Sequence, residues 1–364
     1  MVKFTEVINA SIEWTTTVLF RPFRPKKWLV LGFVALLSGY LTAGGCHSSS
    51  LNDSRLNKPR QAQAAIVSSA TPQQAAVDKT VSAKQQFQEK IQKVKKNRIL
   101  LLFIILLLAG IMAITMWLYS RFSFVFIEDI AKNDASIKAP FKKYKQAGNS
   151  LFVFYITMGV LSLAFLTVVV FACFLRLNSL GVFQEASAAG VKTIILACLP
   201  YALILFLSLI ALSVIYLIVR DFVQIAMLKD QIKFTQAWTK TIKILGSNKA
   251  VFIKYIFVKI GLLICALFIS GILNLAIAFG LLYEGLAITL VLGFFYKILP
   301  VYFRLSYVTV LVICAIPLFI FLWYCLMCIY LPFGVFFRTL SLKVMARLDG
   351  RYDLFRHNWQ TEVL

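Results

Sequence analysis

The sequence predicts an all-α protein that crosses a membrane several times, and three observations lead to this fold class. The chain is 60% hydrophobic and 15% charged, whereas soluble domains average about 45–50% apolar and about 25% charged residues. Its long apolar runs Ile99–Tyr119, Leu151–Leu175 and Thr193–Val219 contain no charged residue, and roughly 20 such residues cross the hydrocarbon of a bilayer as a helix. Because hydrocarbon offers the backbone no hydrogen-bond partner, runs of this kind must be helical.

We predict a polytopic helical bundle with six transmembrane helices. These are Trp28–Ala43, Ile99–Tyr119, Leu151–Leu175, Thr193–Val219, Val251–Ala276 and Ser306–Leu331. A further apolar stretch, Leu286–Tyr296, is short enough to be re-entrant or interfacial rather than spanning. If it were a seventh span instead, the C-terminus would lie outside.

The distribution of cations favours six spans, with both termini on the cytoplasmic side. The predicted cytoplasmic segments each carry five or six Lys or Arg residues; they are 1–27, 120–150, 220–250 and 332–364. The outer loops 176–192 and 283–305 carry two each, as the positive-inside rule requires. Segment 46–98 carries ten cations and still lies outside in this topology, because long loops cross largely regardless of charge.

We predict that residues 1–364 form a single membrane domain built from three copies of one hairpin unit. Arg121-Phe122 follows the second span and Arg220-Asp221-Phe222 follows the fourth, and a Gly-containing turn, at Gly148 or Gly246, precedes the next span in each case. The copies are 1–119, 120–219 and 220–331, and a C-terminal interfacial helix and tail occupy 332–364.

The first copy contains a polar insertion with a helical extension at 46–98. Its part 77–97 repeats apolar residues with helical spacing. We expect this part to form a helix outside the membrane that could bind a protein partner.

The segments between the spans predict amphipathic helices that lie in the membrane plane, each with an apolar face opposite a row of cations. The candidate lipid-headgroup residues are Lys138, Lys142, Lys143, Lys145, Lys233, Lys240, Lys243, Lys343 and Arg347. A cation near an anionic leaflet contributes about 1 kcal/mol to binding. The alternative is that these segments are short cytoplasmic connections that pack on one another.

Catalytic chemistry has few candidates in this sequence. His47 and His357 have no Cys or carboxylate at metal-ligand or triad spacing, and no phosphate-binding glycine motif occurs. The Cys325/Cys328 pair lies inside a predicted span, where two small apolar side chains are expected. We therefore predict no enzyme activity, no cofactor and no metal, and the net charge of +23 lies beside the spans rather than on a nucleic-acid-binding domain.

A transport pathway is the competing interpretation. Its candidate residues are Asn274, Pro200, Tyr201 and Glu284. The carboxylates near the span ends, such as Asp221 and Asp230, are expected to pair with neighbouring cations. Lys259 is expected to extend towards the inner interface.

The segment Phe20-Arg21-Pro22-Phe23 before Trp28, the glycines after the first span and Arg121–Phe126 resemble a group of uncharacterised bacterial multi-span proteins. That group is similar to the membrane domain fused to some glycerophosphodiester phosphodiesterases. The resemblance covers roughly residues 15–350 and implies a six-span membrane domain in the inner membrane of a bacterium. The catalytic domain is absent, so the phosphodiesterase activity is not carried over.

These observations favour a non-enzymatic membrane protein that organises or senses anionic lipid at the cytoplasmic leaflet. A transporter or lipid-translocating permease is the first alternative, and an accessory subunit of a membrane complex is the second. The oligomeric state stays open.

Overall fold

The computed structural model describes residues 3–40, 98–180, 191–298 and 300–355. This part of the chain contains helices and no strand, so the predicted all-α class is confirmed. The described residues belong to two compact units, one with 98–116 and the other with 3–40 and 117–355. The polar insertion up to residue 97 and both His residues lie outside the described residues.

Eleven α-helices follow one another in the described ranges. They are α1 (Phe4–Phe20), α2 (Pro25–Leu37), α3 (Arg98–Lys132), α4 (Lys138–Lys143), α5 (Lys145–Ser179), α6 (Val191–Ile218), α7 (Gln224–Asp230), α8 (Phe234–Ser247), α9 (Lys249–Ile298), α10 (Val301–Cys328) and α11 (Leu331–Leu348). A π-helix, Val219–Val223, joins α6 to α7, and a short 3₁₀ turn, Gly350–Tyr352, follows α11.

The smaller unit is the first part of α3. Its side chains from Leu101 to Met112 are exposed and almost all large and apolar. A helix that is apolar on all sides is suited to lipid rather than to water.

Five helical segments in the described ranges are long and apolar enough to cross a membrane. They are Leu101–Lys132, Lys145–Ser179, Lys192–Asp230, Lys249–Ile298 and Ser306–Leu348. In the most apolar window of each, at most 11% of the residues are buried. Because so much apolar surface faces outward, the chain is a multi-pass membrane protein, as the sequence predicts.

Most of the buried residues of the larger unit lie where the ends of several helices meet. The buried stretches are Ser120–Ala131 of α3, Val219–Lys229 (with Arg220 half-buried) and most of α11. Helices α1, α2 and α8 and the first turns of α5 and α9 pack around them. We call this packed region the base.

The prediction that Trp28–Ala43 crosses the membrane as one helix is wrong. Helix α2 has 13 residues, or about 20 Å, and ends at Leu37 before Gly39 takes a positive φ of 67°. Tyr40 then enters the base and is 2% exposed. Leu31, Val34 and Ala35 of α2 are buried against protein, whereas Leu29 and Phe33 are exposed. An added Cβ at Gly32 would lie 2.6 Å from the Cys328 sulfur of α10.

The predicted re-entrant segment Leu286–Tyr296 is also wrong, because it belongs to the continuous 50-residue helix α9. No proline lies between the fifth predicted span and Pro300, so nothing in the sequence forces the backbone to leave the helix. The two apolar stretches therefore form one helix.

The predicted C-terminal interfacial helix corresponds to α11, which is buried on several sides instead of lying on a surface. Leu340 and Val344 are fully buried, and so are the polar residues Arg338 and Ser341. The three-hairpin repeat is not established by the described residues. The predicted cytoplasmic segments 120–150 and 220–250, which we call the two middle linkers, each contain a residue with left-handed backbone conformation: Asn133 with φ 57° and Gln231 with φ 52°.

Candidate functional site

A cluster of buried and half-buried charges lies within the base. It contains the cations Arg220, Lys259 and Arg338 and the carboxylate Asp221. These residues come from the π-helix, α9 and α11. Buried charges are expensive unless they are paired, so a group of three cations around one carboxylate is unusual. We call these four residues the cationic cluster.

Arg338 is the most buried member of the cluster, with 0% exposure. Its guanidinium donates hydrogen bonds to the carbonyl oxygen of Arg220 and, over 3.4 Å, to Oε1 of Gln224. Its Nε has no hydrogen-bond partner among the described residues. The Arg338 side chain therefore keeps one unused donor in the interior of the protein.

Tyr40 places an aromatic ring against both arginines. The guanidinium carbon of Arg220 lies 4.0 Å from the ring centroid and that of Arg338 lies 5.5 Å away. The Tyr40 hydroxyl donates to Oε1 of Gln224 over 3.4 Å. The electron-rich ring face stabilises the cations without neutralising them.

Asp221 is the acceptor of the cluster. Its Oδ2 forms an ion pair with Lys259 and accepts a 2.7 Å hydrogen bond from the Tyr255 hydroxyl. The same hydroxyl lies 3.1 Å from Oγ of Ser341 on α11. The carboxylate therefore ties the π-helix to α9 directly, and to α11 through Tyr255.

The π-helix places Arg220 and Asp221 at the junction between a candidate span and the base. A π-turn accommodates one more residue than an α-turn, and such turns are frequent at functional sites. Val219, Phe222 and Val223 of this turn are fully buried. The wide turn is therefore held in place by packing on its apolar side.

A cavity of about 30 Å³ adjoins the cluster and is lined by Tyr40, Arg220, Asp221, Lys259, Leu263, Gly334 and Phe337. This volume holds about one or two water molecules. The cavity brings two cationic side chains to a small internal space, which suits a small anionic group or ordered water.

The seven predicted headgroup lysines of the two middle linkers are exposed on the base. They are Lys138, Lys142, Lys143, Lys145, Lys233, Lys240 and Lys243. Two of them also form ion pairs: Lys143 with Glu128 at 3.7 Å, and Lys240 with Asp230 at 2.6 Å. The buried face of α8 is Phe234, Ala237, Thr241 and Leu245.

The two predicted headgroup residues of α11 contact protein. Lys343 is half-buried, with its Nζ 4.8 Å from the ring centroid of Phe355. Arg347 is exposed and lies 3.7 Å from Glu6 of α1. Both residues help to hold α1 and the C-terminal segment on the base.

Asp230 is the last residue of α7 and lies in the second linker. Besides its ion pair with Lys240, its Oδ2 accepts a 3.3 Å hydrogen bond from the hydroxyl of Tyr352. Burial, and then the charge of Asp230, raises the pKa of Tyr352 to about 12. Tyr352 is therefore a neutral donor at ordinary pH.

The predicted pathway residues lie in separate places. Asn274 accepts a hydrogen bond from the Tyr330 hydroxyl, and Glu284 is exposed in the middle of α9. Tyr201, next to Pro200, lines a cavity of about 400 Å³ between α5 and α6 whose other walls are apolar side chains and two cysteines. Neither Asn274 nor Glu284 lines that cavity.

Sequence reasoning missed Arg338, Tyr40 and Tyr255, and it placed Lys259 at the interface instead of in an ion pair. A signal for Arg338 was present, because Arg121, Arg220 and Arg338 each follow an apolar run that is long enough to span a membrane. Tyr40 and Tyr255 carry no such signal. They are single tyrosines inside apolar stretches.

A family of unknown function, DUF7544, matches residues 3–355, so the chain belongs to this family. The match covers the region of the sequence resemblance and gives no link to glycerophosphodiester phosphodiesterases. Among curated proteins there is no match. Among solved structures there is none either.

Proposed function

We propose that this member of the DUF7544 family is a non-enzymatic membrane protein that binds anionic lipid through its base. The observation that carries the proposal is the cationic cluster, in which Arg338 is fully buried, and Arg220 and Lys259 are half-buried beside the single carboxylate Asp221 and reach a cavity. Such an excess of positive charge is stabilised by an anionic group, and lipid phosphates are the anions available to a membrane protein.

The position of the cluster supports a lipid rather than a soluble anion. Aromatic rings gather beside it: the Tyr119 ring centroid lies 5.5 Å from that of Tyr155, which lies 6.1 Å from that of Tyr216. Tyrosine is enriched at the level of lipid headgroups. The cluster and its aromatic neighbours would therefore sit at the headgroup level of one leaflet.

We assign that leaflet to the cytoplasmic side. The predicted cytoplasmic segments contribute α1, the two middle linkers and α11 to the base, and the exposed lysines of the linkers lie there. An excess of Lys and Arg in short connections marks the cytoplasmic side. Substituted cysteines at positions 145, 240 and 350 should all react from that side; labelling from opposite sides would contradict the assignment.

Lipid preference tests the proposal. The triple variant Lys138→Gln, Lys142→Gln, Lys145→Gln removes three exposed cations from the base, and the matched variant Arg176→Gln, Lys192→Gln, Lys297→Gln removes three from the other ends of the candidate spans. In mixed micelles with equal phosphatidylglycerol and phosphatidylcholine, native mass spectrometry should find phosphatidylglycerol enriched on the wild type.

The base variant should lose that enrichment by up to about 100-fold, at about 1 kcal/mol per cation. The matched variant should keep it. Equal retention of the two lipids by the wild type would reject the proposal.

A transport pathway receives less support. A pathway requires polar groups that share a water-accessible space, whereas Asn274, Tyr201 and Glu284 lie apart. The polar cavity beside the cationic cluster lies in the base and is small.

A further inference from the structure

An apolar groove of about 330 Å³ lies beside the cationic cluster. Its walls come from three helices: α1 contributes Ile12 and Phe20, α9 contributes Cys265 and Ala266, and α11 contributes Phe336. Ile12 and Phe20 are each about half exposed. This volume falls in the range of ligand-binding pockets, roughly 300–1,000 Å³.

The groove and the small cavity of the cationic cluster share one wall. Phe337 lines both. On α9, Lys259 lines the cavity and Leu262 lines the groove, and three residues of helix separate them by about 4.5 Å along its axis. The apolar groove therefore adjoins the cationic cavity.

Charge complementarity identifies the occupant. The cationic end carries Arg220 and Lys259 with Asp221 as their shared carboxylate, and behind them the Nε donor of Arg338 has no partner among the described residues. The other end offers apolar side chains almost throughout. A molecule that fits both ends has an anionic head joined to a hydrocarbon chain.

We propose that the groove and the cationic cluster together bind one anionic phospholipid per chain. One acyl chain lies in the groove between α1, α9 and α11, and the phosphate lies against Arg220 and Lys259. This site rests on the proposed function, and it specifies a single retained lipid instead of a general attraction between the lysines of the base and a leaflet.

Filling the groove tests the site. Cys265→Trp introduces a large ring from the α9 wall, and Ile12→Trp introduces one from the α1 wall. Both positions are exposed, so the added volume enters the groove and not the protein core. The matched control is Cys314→Trp, which places the same side chain at an exposed cysteine of α10 that does not line the groove.

Native mass spectrometry of protein purified in mild detergent should show one bound phosphatidylglycerol on the wild type and on the control. Both groove variants should lose it at least tenfold while remaining folded. Added phosphatidylglycerol should raise the thermal unfolding temperature of the wild type and of the control but not that of the groove variants, because the lipid needs the groove; inorganic phosphate should not raise any of them to the same extent.

Two results would overturn the site. If both groove variants retain the lipid at the wild-type level, the groove is not its binding place, although the triple lysine variant can still confirm general binding at the base. If inorganic phosphate protects wild type and groove variants equally, the cluster binds a small anion without a chain. A wild type with no preference for anionic lipid would remove the proposed function as well.

Discussion

Arg121 and Arg220 occupy corresponding positions at the ends of two candidate spans, yet their surroundings differ. Arg121 stacks 4.2 Å from the ring centroid of Trp117, and it donates a 2.9 Å hydrogen bond to Oδ1 of Asn149. Arg220 adjoins a carboxylate, two further cations and a cavity. The first arginine is part of a closed packing contact, and the second belongs to a site with space beside it.

One residue accounts for much of this difference. Arg121 is followed directly by Phe122, whereas Asp221 stands between Arg220 and Phe222. Helix α3 is a regular α-helix around Arg121, whereas Arg220 lies in the π-helix Val219–Val223. Asp221 supplies the carboxylate, and the wide turn accommodates it.

The largest expected effect follows from removing that carboxylate. Asp221→Asn leaves Lys259 buried without its ion-pair partner, and breaking a buried pair costs about 3–5 kcal/mol. We expect a large fall in the thermal unfolding temperature in detergent. Asp230→Asn, which breaks the more exposed pair with Lys240, should cost at most about 1 kcal/mol. Equal effects of the two variants would mean that the cationic cluster is not buried as described.

The glycines of the two linkers give a second, smaller contrast. A Cβ at Gly148 would lie 2.7 Å from Cγ of Arg121 and 3.3 Å from its Cα, whereas a Cβ at Gly246 would meet nothing within 4 Å. Gly148→Ala should destabilise the protein by about 1–3 kcal/mol through overpacking. Gly246→Ala should stabilise it by about 0.5–1 kcal/mol, because alanine favours the helix. Thermal unfolding of both variants checks the opposite signs, and a neutral Gly148→Ala would show that the Arg121 contact is loose.

Arg121→Lys should lower the free energy of unfolding by about 1–2 kcal/mol. Lysine keeps the charge, but it loses the planar group that stacks on Trp117 and bonds to Asn149. Anionic lipid retention, measured by mass spectrometry, should be unchanged, because Arg121 is not part of the proposed site. Loss of the lipid in this variant would contradict the distinction between the two arginines.

The smallest effect is expected at alkaline pH, at the contact between Tyr352 and Asp230 of the second linker. Because burial raises the pKa of Tyr352 to about 12, its neutral form stabilises the docked C-terminal turn below about pH 10. This contribution should disappear as the pH rises from about 10 to 12. Wild type should therefore lose stability relative to Tyr352→Phe across that interval and not below it. A constant difference between the two proteins would show that the hydroxyl does not titrate in its folded environment.

The sequence was sufficient to predict the all-helical class, five of the six spans and the charged linkers. Those features depend on runs of about 20 apolar residues and on the placement of cations. Both properties follow from the amino-acid sequence alone, without knowledge of any tertiary contact. Lys138 and Lys233 are exposed in the structure, and their predicted contact with lipid headgroups stays a prediction.

The errors arose where an apolar segment packs on protein rather than on lipid. Trp28–Ala43 has the composition of a span, but Leu31 and Val34 of α2 are buried in the base. Helix α11 has the spacing of a surface helix, yet Arg338 is buried because Gln224 and the backbone of Arg220 satisfy it. Neither outcome can be predicted without the partners, which lie far away along the chain.

The length of α9 has a consequence for the membrane around the protein. Fifty residues of helix extend about 75 Å, more than twice the thickness of the hydrocarbon layer. After the first twelve residues are assigned to the base, the remaining 38 residues of α9, as a straight helix tilted by 40°, the upper end of the observed range, extend about 44 Å along the membrane normal. This length exceeds the roughly 30 Å of hydrocarbon. The hydrophobic mismatch is accommodated by local thickening of the bilayer, by a bend near Gly280 and Gly285, or by another molecule that covers the last apolar turns.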